Sequence, residues 1–220
     1  MRNQSIEAAL NKNPNREQLL KHRFFQMVDE RQLPKEHAET VLGQWWHPMH
    51  YFPNFLGRLL AACPQLEMKT AVSHILDQEV GEGDPANAHE RLFITTMTDA
   101  GLARAAVSEA EMTPATKRLI DGYKRSTDDY LIGLGFLYGT EVADLTMVAK
   151  LGKLLRRTTG LKSLPWVDIH VKQEPDHVET ASHTVGLQYT DDEMATIVRG
   201  AEEIWTLWVG FFEELHNRVA

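Results

Sequence analysis

Apolar residues recur at three- and four-residue spacing along almost the whole chain, the pattern of helices that bury one face. No stretch alternates apolar and polar residues as a half-buried strand does. The closing segment "MATIVRGAEEIWTLWVGFFEELHNRV" is the clearest case, and Thr190 with Glu193 forms a capping box ahead of it. Asn15 is read as the N-cap of "REQLLKHRFFQMVDER", and Pro34 opens the next helix where its missing N–H costs nothing. Asp84-Pro85 and Thr113-Pro114 repeat that cap-then-proline signal. The spacing and caps predict helices over 5–11, 16–31, 35–62, 65–80, 86–100, 114–125, 127–157, 165–184 and 191–217. The expected fold is all-α. With neither an internal repeat nor a low-complexity linker, one domain over 1–220 is expected.

Composition narrows the function. A net charge of −8 argues against a nucleic-acid binder, which needs lysine and arginine to neutralise phosphates. Cys63 is the sole cysteine and has no internal disulfide partner, and the opening "MRNQSIEAAL" lacks the apolar core of a signal peptide. The expectation is a reduced, cytoplasmic protein. The strongly apolar run "YLIGLGFLYG" falls far short of the ~20 residues that cross a bilayer, so no membrane partner is expected.

Chemistry enters where a polar residue sits on a face that the pattern makes apolar. In "LGFLYGTEVADLTMV", Leu134, Leu137, Leu145 and Val148 make a stripe at helical spacing, and Glu141 falls within it. A buried ionised carboxylate needs a cation, a proton or a partner; Arg156 is one such partner, and a rotation of the helix that exposes Glu141 is the other bland explanation. In "IHVKQEPDH", His170, Glu174 and His177 are spaced four and three apart and share a face with Val167, Val171, Val178 and Ala181. Either histidine alone reads as an ordinary surface or core residue. Together, two imidazoles and a carboxylate on one helical face suit iron, manganese or zinc. In "DQEVGEGDPANAHERLF", glycines interrupt a helix, so Glu79 and His89 come from its two pieces; Glu82 is the rival carboxylate, and a plain Gly-rich connection is the alternative.

Glu79, His89, Glu141, His170, Glu174 and His177 are three carboxylates and three imidazoles on four helical segments, a set large enough for two metal ions. Ferritin-like di-iron bundles use two Glu-x-x-His pairs, and only Glu174–His177 supplies one here. The order resembles instead the haem-oxygenase-like di-iron oxidases, relatives of the TenA/PqqC superfamily. The resemblance covers residues 35–215 and rests on "VLGQWWHPMHYFPNFLGRLLAACP", the break E-x-G-x-G-D-P-x3-H carrying Glu79 and His89, the glutamate of "LYGTEVADL", and H-x3-E-x2-H. It implies a haem-oxygenase-like bundle of about seven core helices, with those six residues as iron ligands and Glu79, Glu141 and His170 at the reacting centre. It also implies two Fe(II) ions, O2 as co-substrate, and a small amine- or carboxylate-bearing metabolite that undergoes N-oxygenation or oxidative carbon–carbon cleavage in small-molecule biosynthesis. An external electron donor and a homodimer are compatible with it. The last carboxylate of the pattern is commonly Asp in that family and is Glu174 here; His47 and His50 stand where some members add a carboxylate. Rival readings are a metal-independent TenA/PqqC-like enzyme and a non-catalytic helical interaction protein. Six aromatic residues, Trp45, Trp46, Tyr51, Phe52, Tyr138 and Trp166, are candidates for a pocket lining or for plain core.

Pro175 lies among the candidate ligands and has no N–H for the carbonyl of Val171, which costs a through-running helix about 3 kcal/mol or more. Either metal binding orders this segment, or Pro175 begins a new helix where it costs nothing.

Overall fold

The computed structural model describes residues 4–220. Its helices are α1 (Gln4–Asn11), α2 (Pro14–Leu20), α3 (Arg23–Glu30), α4 (Lys35–Ala62), α5 (Leu66–Glu79), α6 (His89–Asp99), α7 (Arg104–Ser108), α8 (Pro114–Ser126), α9 (Tyr130–Thr159), α10 (Pro165–Val185) and α11 (Asp191–Val219), with one 3₁₀ turn at Pro85–Asn87. No strand occurs among the described residues. The seven helices of eleven residues or more, α4–α6 and α8–α11, build the bundle.

α9 is its axis, packing against α11, α10, α4, α3, α2 and α8. Residues 133–141 are buried without interruption, as a helix enclosed on all sides must be. The same apolarity makes α9 long and apolar enough for a membrane span, with mean hydropathy 1.3, yet 67% of that window is buried inside the molecule. Packing within the bundle accounts for it. Glycines let α9 and α11 approach at backbone distance: a Cβ on Gly135 would lie 2.1 Å from the Ile197 carbonyl oxygen, and one on Gly200 would lie 2.4 Å from that of Ile132. The Trp205 indole N–H crosses the same seam and donates to the Gly139 carbonyl at 2.8 Å.

Three local expectations are corrected. The helix expected over 16–31 is two helices, broken at Lys21-His22. His22 caps α3, its Nδ1 accepting the Phe24 N–H at 3.2 Å, and the break turns Phe24, Phe25, Met27 and Val28 into the core. Asn13, not Asn15, caps α2, with Pro14 at the first helical position. The Asp84-Pro85 signal opens the 3₁₀ turn rather than an α-helix: Asp84 Oδ1 accepts the Ala86 N–H, and α6 begins only at His89. The Thr113 cap and the Thr190–Glu193 capping box stand as read. α10 runs unbroken through Pro175, ten residues past its start, so the proline does not open a new helix.

The α9–α11 seam generates a pair of opposite effects. Gly135→Ala forces backbone atoms apart and is expected to cost about 1–3 kcal/mol or more. Gly57→Ala in α4 meets nothing within 4 Å and is expected to add about 0.4–1 kcal/mol by restricting the unfolded chain. Urea denaturation midpoints measure both; shifts of the same sign in the two variants would refute the close approach.

Candidate metal centre

Four helices bring the polar residues together. α5 ends on Glu79, and the chain reverses through Gly81, Glu82 and Gly83 at φ of +101°, +52° and +86°. Glycine takes such values without cost, and a Cβ on Gly81 would lie 2.2 Å from the Asp84 carbonyl oxygen. The reversal starts α6 at His89, back beside Glu79. α9 contributes Glu141, and α10 contributes His170, Glu174 and His177 at successive turns of one face.

All six expected residues are buried, each less than a tenth exposed. His89 Nδ1 lies 3.0 Å from Glu79 Oε2, and His177 Nδ1 lies 3.4 Å from Glu141 Oε2. Glu141, Glu174 and His177 each offer a ligand atom within 4.8 Å of the other two. The His89 and His170 rings are 4.5 Å apart between centroids. Two hydrogen bonds fix imidazole tautomers. His89 Nε2–H donates to Gln173 Oε1 at 2.8 Å, and the Gln173 amide donates onward to Glu82 Oε2 at 3.4 Å. His170 Nδ1–H donates to the Trp166 carbonyl at 2.7 Å. With one proton on each ring, the other nitrogen keeps a lone pair, the form in which imidazole binds a metal; without a metal, the Glu79 carboxylate 3.0 Å from His89 Nδ1 favours a second proton on that ring.

Of the two rival carboxylates, Glu79 is buried against His89, whereas Glu82 is exposed in the turn. The Arg156 explanation for Glu141 does not hold, because Arg156 lies 3.9 Å from Asp168 instead. Glu141 does point inward, but Leu145, placed on the same inward stripe, is exposed, as is Val171 on α10. The inward faces are narrower than the stripes drawn on them. His47 and His50 are engaged elsewhere, with the Ala110 carbonyl at 2.8 Å and Glu90 at 2.9 Å.

Asp144 is the residue that the sequence reading passed over. It follows Glu141 by three positions on α9, and its Oδ2 lies 3.8 Å from His170 Nε2. The signal was present as Glu-x-x-Asp on one helical face, half hidden by the assignment of Leu145 to that face.

Four carboxylates thus meet three imidazoles, and crowding shifts their protonation. Burial, reinforced by the Glu141 and Glu79 carboxylates, pushes Asp144 up to about 7. Burial and then the Asp144, Glu141 and Glu79 carboxylates push Glu174 well above the usual range. Burial works against ionised Glu79, but His89, His177 and His170 outweigh it and hold the carboxyl at about 2. Burial opposes charge on His177 too, yet the Glu141 carboxylate beside it raises its pKa to about 9. Burial and the neighbouring His89 push His170 down to about 3. Five of the buried atoms find no hydrogen-bond partner: His89 Nδ1, Glu141 Oε1, Asp144 Oδ2, Glu174 Oε1 and His177 Nε2. Buried polar atoms are normally satisfied, and oxygens and imidazole nitrogens converging without partners are a donor set suited to transition-metal cations.

A small cavity of about 40 Å³ lies beside the cluster. Glu79, Glu141, Asp144, His170 and Glu174 form its polar wall, and Trp45, Pro48, Met49, Phe52, Tyr123 and Trp208 its apolar wall. Of the six aromatic candidates, Trp45 and Phe52 reach it; Trp46, Tyr51, Tyr138 and Trp166 do not line it.

Comparison with known proteins agrees with this architecture. A 4-aminobenzoate synthase of Chlamydia pneumoniae is 22% identical over 205 residues, 90% of each chain. A CADD-like protein of unknown function from Nostoc punctiforme superimposes with a TM-score of 0.79 at 14% identity, over 98% of this chain and 93% of that one. A domain of unknown function with a heme oxygenase-like fold from Shewanella denitrificans gives a TM-score of 0.71 at 15% identity, over 97% and 88%. A TenA homologue from P. horikoshii gives 0.73 at 10% identity, over 96% and 98%. At such identities the structural likeness shows a haem-oxygenase-like fold. Residues 39–209 match the sequence family described as iron-containing redox enzymes, and the chain belongs to that family.

Proposed function

We propose that the cluster holds two Fe(II) ions and that the protein is an O2-dependent oxidase or oxygenase of a small amine- or carboxylate-bearing metabolite. The observation that carries this reading is the convergence of three buried carboxylates, the partly exposed Asp144 and three buried imidazoles, with five ligand atoms unpartnered and no lysine or arginine on the cavity wall, among the described residues. Buried negative charge of that density requires compensation, and two divalent cations match four carboxylates in charge. With metal–ligand bonds of about 2.1 Å, adjacent ligand atoms on one ion sit about 3 Å apart, as His89 Nδ1 and Glu79 Oε2 do at 3.0 Å. Glu79, His89, Glu141, His170, Glu174 and His177 are the assigned ligands. When bound, two such ions supply open coordination positions and electrons for the reduction of dioxygen.

The protein's own groups orient and enclose. Gln173 and the Trp166 carbonyl hold His89 and His170 in the ligating tautomers. The apolar wall shields the cluster from water and faces the side from which a small substrate would approach. Trp45 on that wall has an indole N–H with no partner, a donor for an acceptor atom of the substrate. The Chlamydia relative is named for 4-aminobenzoate, which carries both an amine and a carboxylate.

Anaerobic Fe(II) loading is expected to give about two irons per chain, and His89→Ala and His170→Ala should each remove about one or more. Full iron retention in both variants, measured by elemental analysis, would reject the site. On exposure to O2 with a productive substrate, the loaded protein should consume oxygen and Glu141→Ala should not. An electrode trace that stays flat for the wild type across amines, amino acids and fatty acids would count against the oxygenase reading.

Gln173→Leu removes the acceptor that fixes the His89 tautomer, and metal affinity is expected to fall about 10–100-fold, while Gln173→Glu keeps an acceptor and retains binding. Competition with a chelator measures both. Equal affinity in the leucine variant and the wild type would show that Gln173 does not set the tautomer.

Pro175 leaves the Val171 carbonyl without its helical donor, between Glu174 and His177. Metal binding is therefore expected to slow amide hydrogen exchange across residues 168–180 selectively. Equal, strong protection in the metal-free and Fe(II)-loaded protein would exclude metal-coupled ordering.

A further inference from the structure

We infer that Asp144 is a seventh ligand, bound to the ion that His170 holds. The inference rests on the reading of the cluster as a metal centre. Asp144 Oδ2 is buried, has no hydrogen-bond partner, and faces His170 Nε2 at 3.8 Å. That distance is too long for an N–H···O hydrogen bond, whose limit is about 3.2 Å. The nitrogen also has no proton to offer, because the His170 N–H sits on Nδ1 and is donated to the Trp166 carbonyl at 2.7 Å. A nitrogen lone pair and a carboxylate oxygen therefore face each other with no proton between them. Such an arrangement is repulsive unless a proton or a cation relieves it; the gap is too long for a proton to bridge, whereas one ion with bonds of about 2.1 Å to each atom spans it.

Two further observations agree. The Glu174 carboxyl is placed against Asp144, so Asp144 is flanked by another acidic side chain as well as by the imidazole. Asp144 also lines the same cavity wall as Glu79, Glu141, His170 and Glu174. Charge points the same way: the three carboxylates of the family pattern leave two divalent cations with one uncompensated buried positive charge, and Asp144 removes it.

The alternative is that Asp144 merely props Glu174 in place. Asp144→Asn separates the two roles because it keeps shape and hydrogen-bonding capacity and removes only the charge. The probes are Co(II), whose visible bands report the ligand set, and Zn(II) in competition with a chelator, together with thermal midpoints with and without metal. A ligand role predicts altered Co(II) bands and a Zn(II) affinity lower by tenfold or more. It also predicts a metal-free midpoint no lower than wild type, since a crowded negative charge has gone. Asp144→Ala should move the Co(II) bands and affinity in the same direction. A propping role predicts the reverse: a lower metal-free midpoint with unchanged bands and affinity, which overturns this inference alone. A wild-type chain that binds neither Co(II) nor Fe(II) overturns it together with the metal-centre reading.

Discussion

The constraint on which the rest of this molecule depends is electrostatic: Glu79, Glu141, Asp144 and Glu174 are brought together with three imidazoles in the interior of a helical bundle. An isolated buried carboxylate costs several kcal/mol even after relaxation, and four in one place compete for the same counter-charge. No arginine or lysine lines the cavity to supply it, among the described residues. The consequences appear as displaced proton affinities, with Glu174 and Asp144 pushed up and Glu79 held down within one cluster. On the proposed metal reading, protons and metal cations compete for these atoms, and the fold keeps the atoms close together.

Three backbone devices do so. The glycine contacts of the α9–α11 seam bring those helices to near-backbone separation, fixing α9 while its Glu141–Asp144 face looks toward α10. The Gly81–Gly83 reversal returns the chain so that the last residue of α5 meets the first of α6. α10 is tied on both sides of its proline, by Gln173 to His89 before it and by Asp176 to Gln78 and His74 after it, at 3.1 Å and 2.7 Å. The last pair of contacts anchors α10 to α5 within one turn of the point where the ladder loses a donor.

The sequence carried the helical class and the six buried ligand candidates because both are written locally. Caps and apolar spacing mark helices, and His-x3-Glu-x2-His places three side chains on one face whatever surrounds them. What it did not carry depends on partners far along the chain. Leu145 fits the stripe by spacing, but the inward face of α9 is limited by where α10 and α11 pack, and Asp144 takes that direction instead. The α2–α3 break is invisible in a periodic segment because it answers to Phe212 on α11, whose ring is 4.6 Å from Phe25 and 5.3 Å from Phe24. The choice between Glu79 and Glu82 likewise turned on three consecutive left-handed backbone positions, and only two of those are glycines.

The division of the core explains why a protein can carry such a costly cluster. Away from it, the interior is apolar and dense: Phe24, Phe25, Phe211, Phe212 and Trp205 are all buried, and a fully buried large apolar side chain contributes about 1.5–3 kcal/mol each. Those contacts join α3, α9 and α11 and involve none of the ligand candidates. The polar cluster is instead walled by α5, α6, α9 and α10, and α10 is the member weakened by a proline. Stability is therefore concentrated on one side of α9 and chemistry on the other. On the proposed metal reading, proton or metal occupancy is expected to act mainly on the packing of α10 against α5 and α6, while the apolar half holds the axis of the bundle in place.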